Sequence, residues 1–476
     1  MAAQVIVVGA GPVGLLLAAE LRLAGAAPLV LERLTEPSHE TRARGVGPLA
    51  TEALWRRGLG PQLTEEHEQG MRELANDHGS KAGHFANIHK LTPDPDRPAT
   101  AIWQPRLEQL LTEHAEALGV PIRRGVEVTA LDQDDDGVTV TAGGQRLRAD
   151  YLVGCDGGRS TVRKLAGFGF PGTPAVLRSI AGRVRFGGEI PATRRYPGGS
   201  FAGRYTPGGG PTLSGVSEPA QGPEPTGAVT TGEFAEAIRR VTGSPVIVEE
   251  LLDVRRFSDQ ARQADTYRIG RVLLAGDAAH VHSPSGGQGL NLGLMDAVNL
   301  GWKLAAVLRG RPGTLLDTYP AERLPVGAAV LRNTRAQAAL LAPGAHVDAL
   351  REIVADLMDI PAVDRYFTDL LSAVYQRYEL PYPAEAPVGQ HCPDLELADE
   401  SGAVSRLHEH TRSGRGLLLL PPHAKDFAEQ ARGRVEVIWA VGVEPLLLRP
   451  DGVIAWAPGD AASLDVAIDT WAELRI

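Results

Sequence analysis

The sequence predicts an α/β protein with a parallel sheet, an inserted β-rich domain and a small C-terminal α/β domain. The chain has 476 residues, which is too long for one compact core and suits two or three domains. Residues 4–32 follow the order strand, glycine-rich turn, helix, strand, and this βαβ order favours a parallel sheet. Residues 171–265 hold short strand-like segments among loops, which indicates an insertion.

The elements of the main domain are predicted from apolar runs and their periodicity. "QVIVV" and "PLVLE" are buried strands, and "LLLAAELRLAG" between them is a helix that ends at Gly25. Residues 60–100 are polar and show no clear periodicity. Residues 104–118 form a helix with one apolar face, made of Leu107, Leu110, Leu111 and Ala115.

Later segments of the chain return to the same sheet and then leave it. "YLVGCDG" and "RVLLAGD" read as buried strands, and "TGEFAEAIRRVTG" reads as a helix of the insertion. A long helix is predicted from about Gly289 to Leu308, and residues 314–380 are mainly helical. "PYPAEAPVG" is a Pro-rich linker. After it, "RGLLLL", "VEVIWAV" and "PLLLRPDGVIAW" are the strands of the last domain.

Composition narrows the classes of partner. The formal net charge is -10, which argues against binding to nucleic acid or to an anionic membrane. Cys155 and Cys392 are the two cysteines, so no disulfide framework is predicted and a reducing cytoplasm is expected. The N-terminal apolar stretch is interrupted by glycines and followed by Glu20 and Arg22, which is not typical of a signal peptide or a membrane span. No feature of the sequence indicates an oligomeric state.

The first motif is Gly9-x-Gly11-x-x-Gly14, placed between a strand and a helix. In this context the first glycine permits the turn, the second lets the backbone approach a pyrophosphate, and the third allows close packing of helix on strand. Glu32 ends the second strand, where a carboxylate can bind a ribose diol. The motif predicts a dinucleotide site, but it does not choose between FAD and NAD, and an ordinary tight turn would not need Glu32.

Two further motifs follow buried strands. In "CDGGRS", Asp156 and Gly157 lie where ligands bind in open α/β sheets and Arg159 can reach a phosphate. Taken alone, this motif favours the alternative of a plain turn with Ser160 capping a helix. In "GDAAHVHSPSGGQGLN", Asp277 is placed to bind ribose or ribitol hydroxyls, and the glycines expose backbone N–H groups beside a helix N-terminus. That arrangement suits the electron-rich edge of a flavin ring.

A metal site is the competing interpretation of the third motif. His280 and His282 are two residues apart, and neither cysteines nor a group of acidic residues supply further ligands nearby. The motif therefore favours a backbone-lined pocket over a metal site. The plainest alternative is that both histidines only hydrogen-bond to the backbone.

Together these motifs resemble those of the single-component FAD-dependent aromatic hydroxylases, and most closely the bacterial oxygenases that tailor aromatic polyketides. "GDAAHVHSPSGGQGLNLGLMDAVNLGWKLA", "CDGGRSTVRKLAG", "LERLTEPSHETRARGVG" and "FSDQARQADTYRIGRVLLAGD" carry the resemblance, which covers essentially the whole chain. It implies a discontinuous Rossmann-like FAD-binding domain (1–170 and 266–385), a β-rich substrate domain (171–265, with contributions from 60–100) and a thioredoxin-like domain (386–476). The last has no CxxC motif, so thiol redox chemistry is not expected there.

The resemblance also implies cofactor contacts. Glu32 and Arg33 would hold the adenosine ribose and its surroundings, Arg44 would lie near the flavin and pyrophosphate, and Gln104 would be a polar contact of FAD. Asp156 would relate to both FAD and NAD(P)H, and Asp277 would bind the ribityl chain. The full predicted set comprises Gly9, Gly11, Pro12, Val13, Gly14, Glu32, Arg33, Arg44, Gln104, Asp156, Gly157, Asp277, Pro284, Gly287, Gly289, Leu290 and Asn291.

The chemistry implied by the resemblance is carried by the flavin. NADPH or NADH would reduce FAD, and O2 would form a C4a-hydroperoxide that oxygenates a polycyclic aromatic substrate. Baeyer–Villiger oxidation, ring opening, epoxidation and uncoupled oxidase activity use the same motifs and stay open, while a flavin-free dehydrogenase is disfavoured by the third motif. A substrate base cannot be assigned, because the histidines at 67, 78, 84 and 89 are each more typical of surface or loop positions. The Gly-rich segment 205–212 is expected to move.

Overall fold

The computed structural model describes residues 3–38, 42–78, 83–203, 210–222, 225–382, 384–385, 387–459 and 462–471, without the side chains of 73–78. Most of segment 205–212, and with it the expected motion, lies outside the described residues. The strands, β1 to β28 in chain order, are Val5–Val8, Pro28–Glu32, Gly45–Val46, Gly83–Phe85, Ile88–Leu91, Thr100–Ala101, Ile122–Arg124, Val128–Gln133, Val138–Ala142, Gln145–Ala149, Tyr151–Gly154, Gly172–Thr173, Leu177–Phe186, Arg194–Tyr196, Gly199–Ala202, Thr212–Pro219, Val248–Leu251, Arg255–Ser258, Ala261–Gln263, Arg268–Ile269, Val272–Leu274, His280–Val281, Glu396–Ala398, Val404–Arg406, Leu417–Leu420, Glu436–Trp439, Leu446–Leu448 and Ile454–Trp456.

The helices frame these strands. The α-helices, α1 to α12 in chain order, are Pro12–Leu23, Pro48–Trp55, Gly60–His78, Gln104–Ala117, Thr161–Leu165, Thr231–Thr242, Gln288–Leu308, Thr318–Leu341, Ala345–Leu357, Pro361–Ser372, Lys425–Ala431 and Leu464–Trp471. Short 3-10 turns lie at Gly276–Ala278, Gly313–Asp317 and Leu407–His410.

The main sheet has the strand order β20-β21-β11-β1-β2-β7. All neighbours pair in parallel except β20 and β21. Strands β1, β11 and β21 are buried along their whole length, as continuous apolar runs covered on both faces should be. Helices α1 and α7 pack against each other beside this sheet. The predicted α/β, Rossmann-like fold is confirmed.

The insertion forms an antiparallel sheet with the order β14-β15-β16-β13-β17, and β18 also pairs with β13. Helix α6 packs its apolar face on this sheet, where Phe234, Ile238 and Val241 meet Val184 and Phe201 in one core. The assignment of 171–265 to a separate substrate domain stays a prediction.

The last part of the chain forms a four-stranded sheet with the order β26-β25-β27-β28, in which only β25 and β26 are parallel. Helices α11 and α12 cover one face, and Trp302 of α7 belongs to the same apolar cluster. Burial raises the pKa of the Cys392 thiol to about 11, which keeps it protonated near neutral pH. A thioredoxin-like topology for this domain stays a prediction.

Residues 60–78 differ from the expectation, because they form helix α3. The described part of this helix buries a narrow stripe that begins at Gly60, includes Leu63 and ends at Gly70. Gly70 packs so tightly that a Cβ there would lie 2.8 Å from the carbonyl oxygen of Ala101, and His67 accepts a hydrogen bond from the amide of Ala101. The stripe uses histidine and glycine in place of apolar residues, so hydrophobic periodicity does not reveal the helix.

Among the described residues, no helix is long and apolar enough to cross a membrane.

Candidate active site

One cavity of about 960 Å³ follows the carboxyl ends of β1, β2, β11 and β21. Ligands bind at this edge in open α/β sheets, and the volume lies at the upper end for ligand pockets. All the predicted site residues except Gly14 line this cavity. The fold therefore brings together three motifs whose outermost residues, Gly9 and Asn291, are 282 positions apart in the sequence.

Gly9 and Gly14 of the first motif lie too close to other backbone atoms to carry a side chain. A Cβ on Gly9, whose φ is +109°, would lie 2.4 Å from the carbonyl oxygen of Cys155, and a Cβ on Gly14 would lie 2.0 Å from that of Gly9. Gly14 thus packs α1 on β1 and does not line the cavity. A Cβ on Gly11 would meet no atom within 4 Å, so the open space there is available to a ligand.

The N-terminus of α1 opens onto the same cavity. Gly11 is the N-cap and supplies no side-chain acceptor, and Pro12 follows it. The first N–H groups of the helix are therefore left for an anion, which the helix dipole also favours. Arg44 lines the cavity too, with its guanidinium 4.8 Å from the centre of the Trp103 ring.

Glu32 lies at the end of β2 with both carboxylate oxygens already accepting hydrogen bonds. Oε2 accepts from the amide of Ala10, and Oε1 accepts from the amide of Leu34, each at 2.8 Å. These bonds hold the carboxylate at the cavity wall. A carboxylate has about four acceptor positions, so it keeps the capacity to bind a diol.

Asp156 supports the Ser160 helix cap that is the alternative interpretation of this motif. Its carboxylate accepts hydrogen bonds from the hydroxyl of Ser160 and the amides of Thr161 and Val162, at 2.5, 2.6 and 3.1 Å. Ser160 is the N-cap of α5, and its hydroxyl accepts from the amide of Arg163. Asp156 therefore stabilises the start of α5 while one side of the residue lines the cavity.

The loop before α7 presents bare backbone to the cavity. Gly286 and Gly287 have φ values of +79° and +63°, and Gly287 is the N-cap of the 21-residue helix α7. Asn291 fixes this loop, since its Nδ2 donates to the carbonyl of Gly287 and its Oδ1 accepts from the amide of Gly47 at 2.6 Å. The exposed Asp277 lies at the other end of the motif and also lines the cavity.

The two histidines of this motif have different partners. Nδ1 of His282 donates to the carbonyl oxygen of Ser283 at 2.7 Å. This contact agrees with the alternative that both histidines only hydrogen-bond to the backbone. That interpretation is wrong for His280, whose buried Nε2 lies 2.7 Å from the Asp296 carboxylate. Among the described residues, no three His, Cys, Asp or Glu side chains are grouped so that they could hold a metal ion.

Asp296 is a residue that the motif analysis did not single out. It also accepts from the amide of Gly276 at 3.0 Å and from Nε of Arg323 at 2.7 Å. Burial alone would raise the pKa of Asp296, but the charges of Arg323 and His280 lower it below its usual value. The ionised carboxylate thus holds the turn that carries Asp277. A buried acid on an apolar helix, 20 residues after Gly276, is the only sequence signal for it.

Comparison with known proteins agrees with this architecture. Residues 2–334 match the model of an FAD binding domain family, and residues 385–473 match that of the aromatic-ring hydroxylase C-terminal family. This chain belongs to the flavin-dependent aromatic-ring hydroxylases. The predicted membership of this family, and with it a monooxygenase class that binds FAD, is confirmed.

The relatives of this hydroxylase include several proteins from Streptomyces. A rifampicin monooxygenase of Streptomyces venezuelae is 41% identical over 484 residues, covering 98% of each chain. The structure of the anhydrotetracycline hydroxylase OxyS from Streptomyces rimosus is 40% identical, with a TM-score of 0.88 and coverage of 99% of each chain. A dialkyldecalin synthase of Streptomyces rugosporus is 35% identical over 493 residues, covering 99% of each chain.

The residues of the hydroxylase cavity fit FAD. The N-terminus of α1 suits the pyrophosphate, the Glu32 carboxylate suits a ribose diol, and the Gly286–Gly287 backbone at the N-terminus of α7 suits the electron-rich edge of a flavin ring. Ring contact with Pro284, Gly289 and Leu290, and the remaining individual roles of the site residues, stay predictions.

Proposed function

We propose that this hydroxylase uses NADPH or NADH and O2 to add one oxygen atom to a polycyclic aromatic polyketide. The observation that supports the proposal is the extent of the cavity. It continues from the α7 loop past the flavin-suited region to Arg255, Phe257 and Ser258 of the insertion and to His84 and Asn87 of the β4–β5 hairpin. The cavity therefore has room for a second flat molecule beside the flavin.

The bound FAD would supply electron transfer from the nicotinamide to O2 and the transfer of oxygen to the substrate. The chain supplies binding and orientation. The α1 N-terminus and Arg44 would hold the pyrophosphate, Glu32 and Arg33 would face the adenosine ribose, and Asp277 would bind the ribityl hydroxyls. Gln104, whose Nε2 donates to Glu108 at 2.8 Å, would offer its carbonyl oxygen to FAD.

The substrate would lie against the insertion. Phe257 offers a flat apolar surface for an aromatic ring, and the Arg255 guanidinium lies 5.4 Å from the centre of the Phe257 ring. A cation at this place would favour an anionic oxygen on the substrate. A substrate enclosed between these residues and the hairpin would be shielded from water, which prevents unproductive side reactions.

Rifampicin and anhydrotetracycline, which appear in the names of two relatives, are the first substrates to test. The protein is purified, its visible spectrum is recorded, and oxidation of NADPH and of NADH is followed with and without each compound. We expect flavin absorption bands, faster nicotinamide oxidation when a compound is present, and a product heavier by one oxygen. Loss of aromaticity or ring cleavage in that product would indicate Baeyer–Villiger or ring-opening chemistry instead.

Three other outcomes would contradict the proposal. Peroxide release that does not depend on the aromatic compound would indicate an oxidase. Conversion without a change of mass and without O2 uptake would indicate an isomerising reaction, the alternative suggested by the relative named dialkyldecalin synthase. A colourless protein that cannot be reconstituted with FAD would also contradict the assignment of the cavity.

A further inference from the structure

The β4–β5 hairpin presents two histidines beside the cavity. Phe85 pairs with Ile88 across the hairpin, and both are buried in an apolar cluster with residues of α9 and α10. His84 and His89 are the next positions on the two strands and lie on the other face, with ring centres 4.9 Å apart. His84 lines the cavity and His89 is exposed.

The hairpin is held in a strained turn. Ala86 and Asn87 have φ values of +49° and +59°, a left-handed conformation that costs about 1–2 kcal/mol for a residue such as alanine. The turn is fixed because Gln337 accepts from the amide of Ala86 at 3.0 Å and Arg351 donates to its carbonyl at 2.8 Å. Strain of this kind persists where the surroundings impose it, and it clusters at functional sites.

The ring of His84 has an unsatisfied nitrogen. Its Nδ1 is buried and has no hydrogen-bond partner. Leaving a buried polar atom unpaired costs about 1–3 kcal/mol, and because Nδ1 is closed to solvent, a ligand in the cavity would meet the other, accessible edge of the ring. A histidine that only stabilised the hairpin would be expected to bond to it, as His67 bonds to the amide of Ala101.

We propose that His84 is the base that accepts the hydroxyl proton of the aromatic substrate, and that His89 passes this proton to solvent. This inference rests on the proposed function. The substrate O–H bond breaks, an N–H bond forms on the His84 ring, and the electron pair stays on the substrate oxygen. The resulting phenolate is richer in electrons at the ring carbons that receive oxygen. No oxidant takes part in this step.

The charges around the hairpin favour this role. Burial and the neighbouring His89 lower the pKa of His84 below its ordinary value, so the ring is neutral and able to accept a proton at pH 7. Two imidazolium rings at 4.9 Å would repel each other, which favours rapid release of the proton. Other charged groups of the hairpin region are engaged: Lys90 pairs with Asp359, Arg351 donates to carbonyl oxygens, and Asp364 accepts from the amide of Thr92.

Binding of a polycyclic phenol in the absence of turnover tests the proposal. The FAD-loaded protein is mixed with anhydrotetracycline under argon without nicotinamide, and the ligand spectrum is recorded against pH to give the pKa of the bound hydroxyl. We expect His84→Gln to raise that pKa by about one unit, a tenfold change in the phenolate equilibrium. His89→Gln should raise it less, and His346→Gln, at an exposed position of α9, should not change it.

A second variant distinguishes loss of the base from loss of structure. In His84→Ala, added imidazole should restore kcat/KM with a pH profile that follows the pKa of imidazole, an effect that a purely structural role would not produce. The role of His84 would be overturned, and the proposed function kept, by one set of results. The wild type would oxygenate the substrate, His84→Gln would leave the pKa of the bound hydroxyl unchanged, and imidazole would not rescue His84→Ala. Failure of the wild type to bind or oxygenate any polycyclic phenol would overturn the proposed function and this inference with it.

Discussion

The Arg449 guanidinium of the last domain lies 2.8 Å, from Nη1 to Oε1, from the Glu322 carboxylate of helix α8, and both side chains are almost completely buried. Glu322 also accepts from Lys303 of α7 at 2.8 Å, and Arg449 pairs with Asp451 at 2.5 Å. Arg449 further lies 4.7 Å from the centre of the Trp471 ring. A buried network of charges therefore joins the last domain to helices α7 and α8.

Removing one member of this network should destabilise the whole protein. We expect Arg449→Met to lower the free energy of unfolding by about 3–5 kcal/mol, because it removes the guanidinium that pairs with the buried carboxylates of both Glu322 and Asp451. Arg432→Met removes an exposed partner of Glu429 and should cost less than about 1 kcal/mol. Urea denaturation of both variants measures the difference, and equal costs would contradict the role of the network.

The pair of Asp296 and Arg323 should show strong energetic coupling. Asp296→Asn leaves the Arg323 guanidinium, which is 2% exposed, without its counter-charge, and should cost about 3–5 kcal/mol. Replacing both residues, as Asp296→Asn with Arg323→Met, should cost less than the sum of the single changes, since no unpaired charge remains. Additive costs in a double-mutant cycle would contradict this.

Substitutions of Gly11 and Gly14 should have different effects, on FAD binding for Gly11 and on protein stability for Gly14. Gly14→Ala places a methyl group against the backbone of Gly9 and should cost roughly 1–3 kcal/mol of stability. Gly11→Ala meets open space and should cost at most about 1 kcal/mol as an N-cap change, yet weaken FAD binding by about tenfold, or ~1.4 kcal/mol. Titration of apoprotein with FAD measures this, with Gly313→Ala, also in open space, as control. Unchanged affinity in Gly11→Ala would refute the placement of the pyrophosphate.

His391 should make stability depend on pH below neutrality. Burial lowers the pKa of His391 from its ordinary value of 6.5 to about 3 in the folded protein. The unfolded chain therefore binds the proton first as the pH falls below 6.5, and stability decreases from there down to about pH 3. At pH 5 this group alone should cost about 2 kcal/mol relative to pH 7.5.

The variant His391→Gln isolates this effect, because the other groups titrate equally in both proteins. Its free energy of unfolding should fall less than that of the wild type between pH 7.5 and pH 5. His346→Gln, at an exposed position, should behave as the wild type. Parallel curves for wild type and His391→Gln would show that His391 is not held neutral by burial.

The sequence by itself determined the main sheet and most of the cavity wall. Strands such as Val5–Val8 are continuous apolar runs, and the strand ends and the turns after them carry Gly9, Glu32, Asp156 and Asp277. These signals are local, because the strand pattern, the turn residues and the helix start lie within a few positions of each other. Parallel strands place their carboxyl ends at one edge, so local signals were sufficient to predict a shared site.

The tertiary structure decided what depends on contacts between distant segments. Helix α3 was not predicted, because its buried stripe is completed by Gly70 against Ala101. The partner of His280 is Asp296, and the partner of Arg449 is Glu322, 127 residues earlier. The exposure of His84 to the cavity depends on a hairpin held by α8 and α9. A buried charge is tolerated only where another segment supplies its counter-charge, and no local pattern records which segment that is.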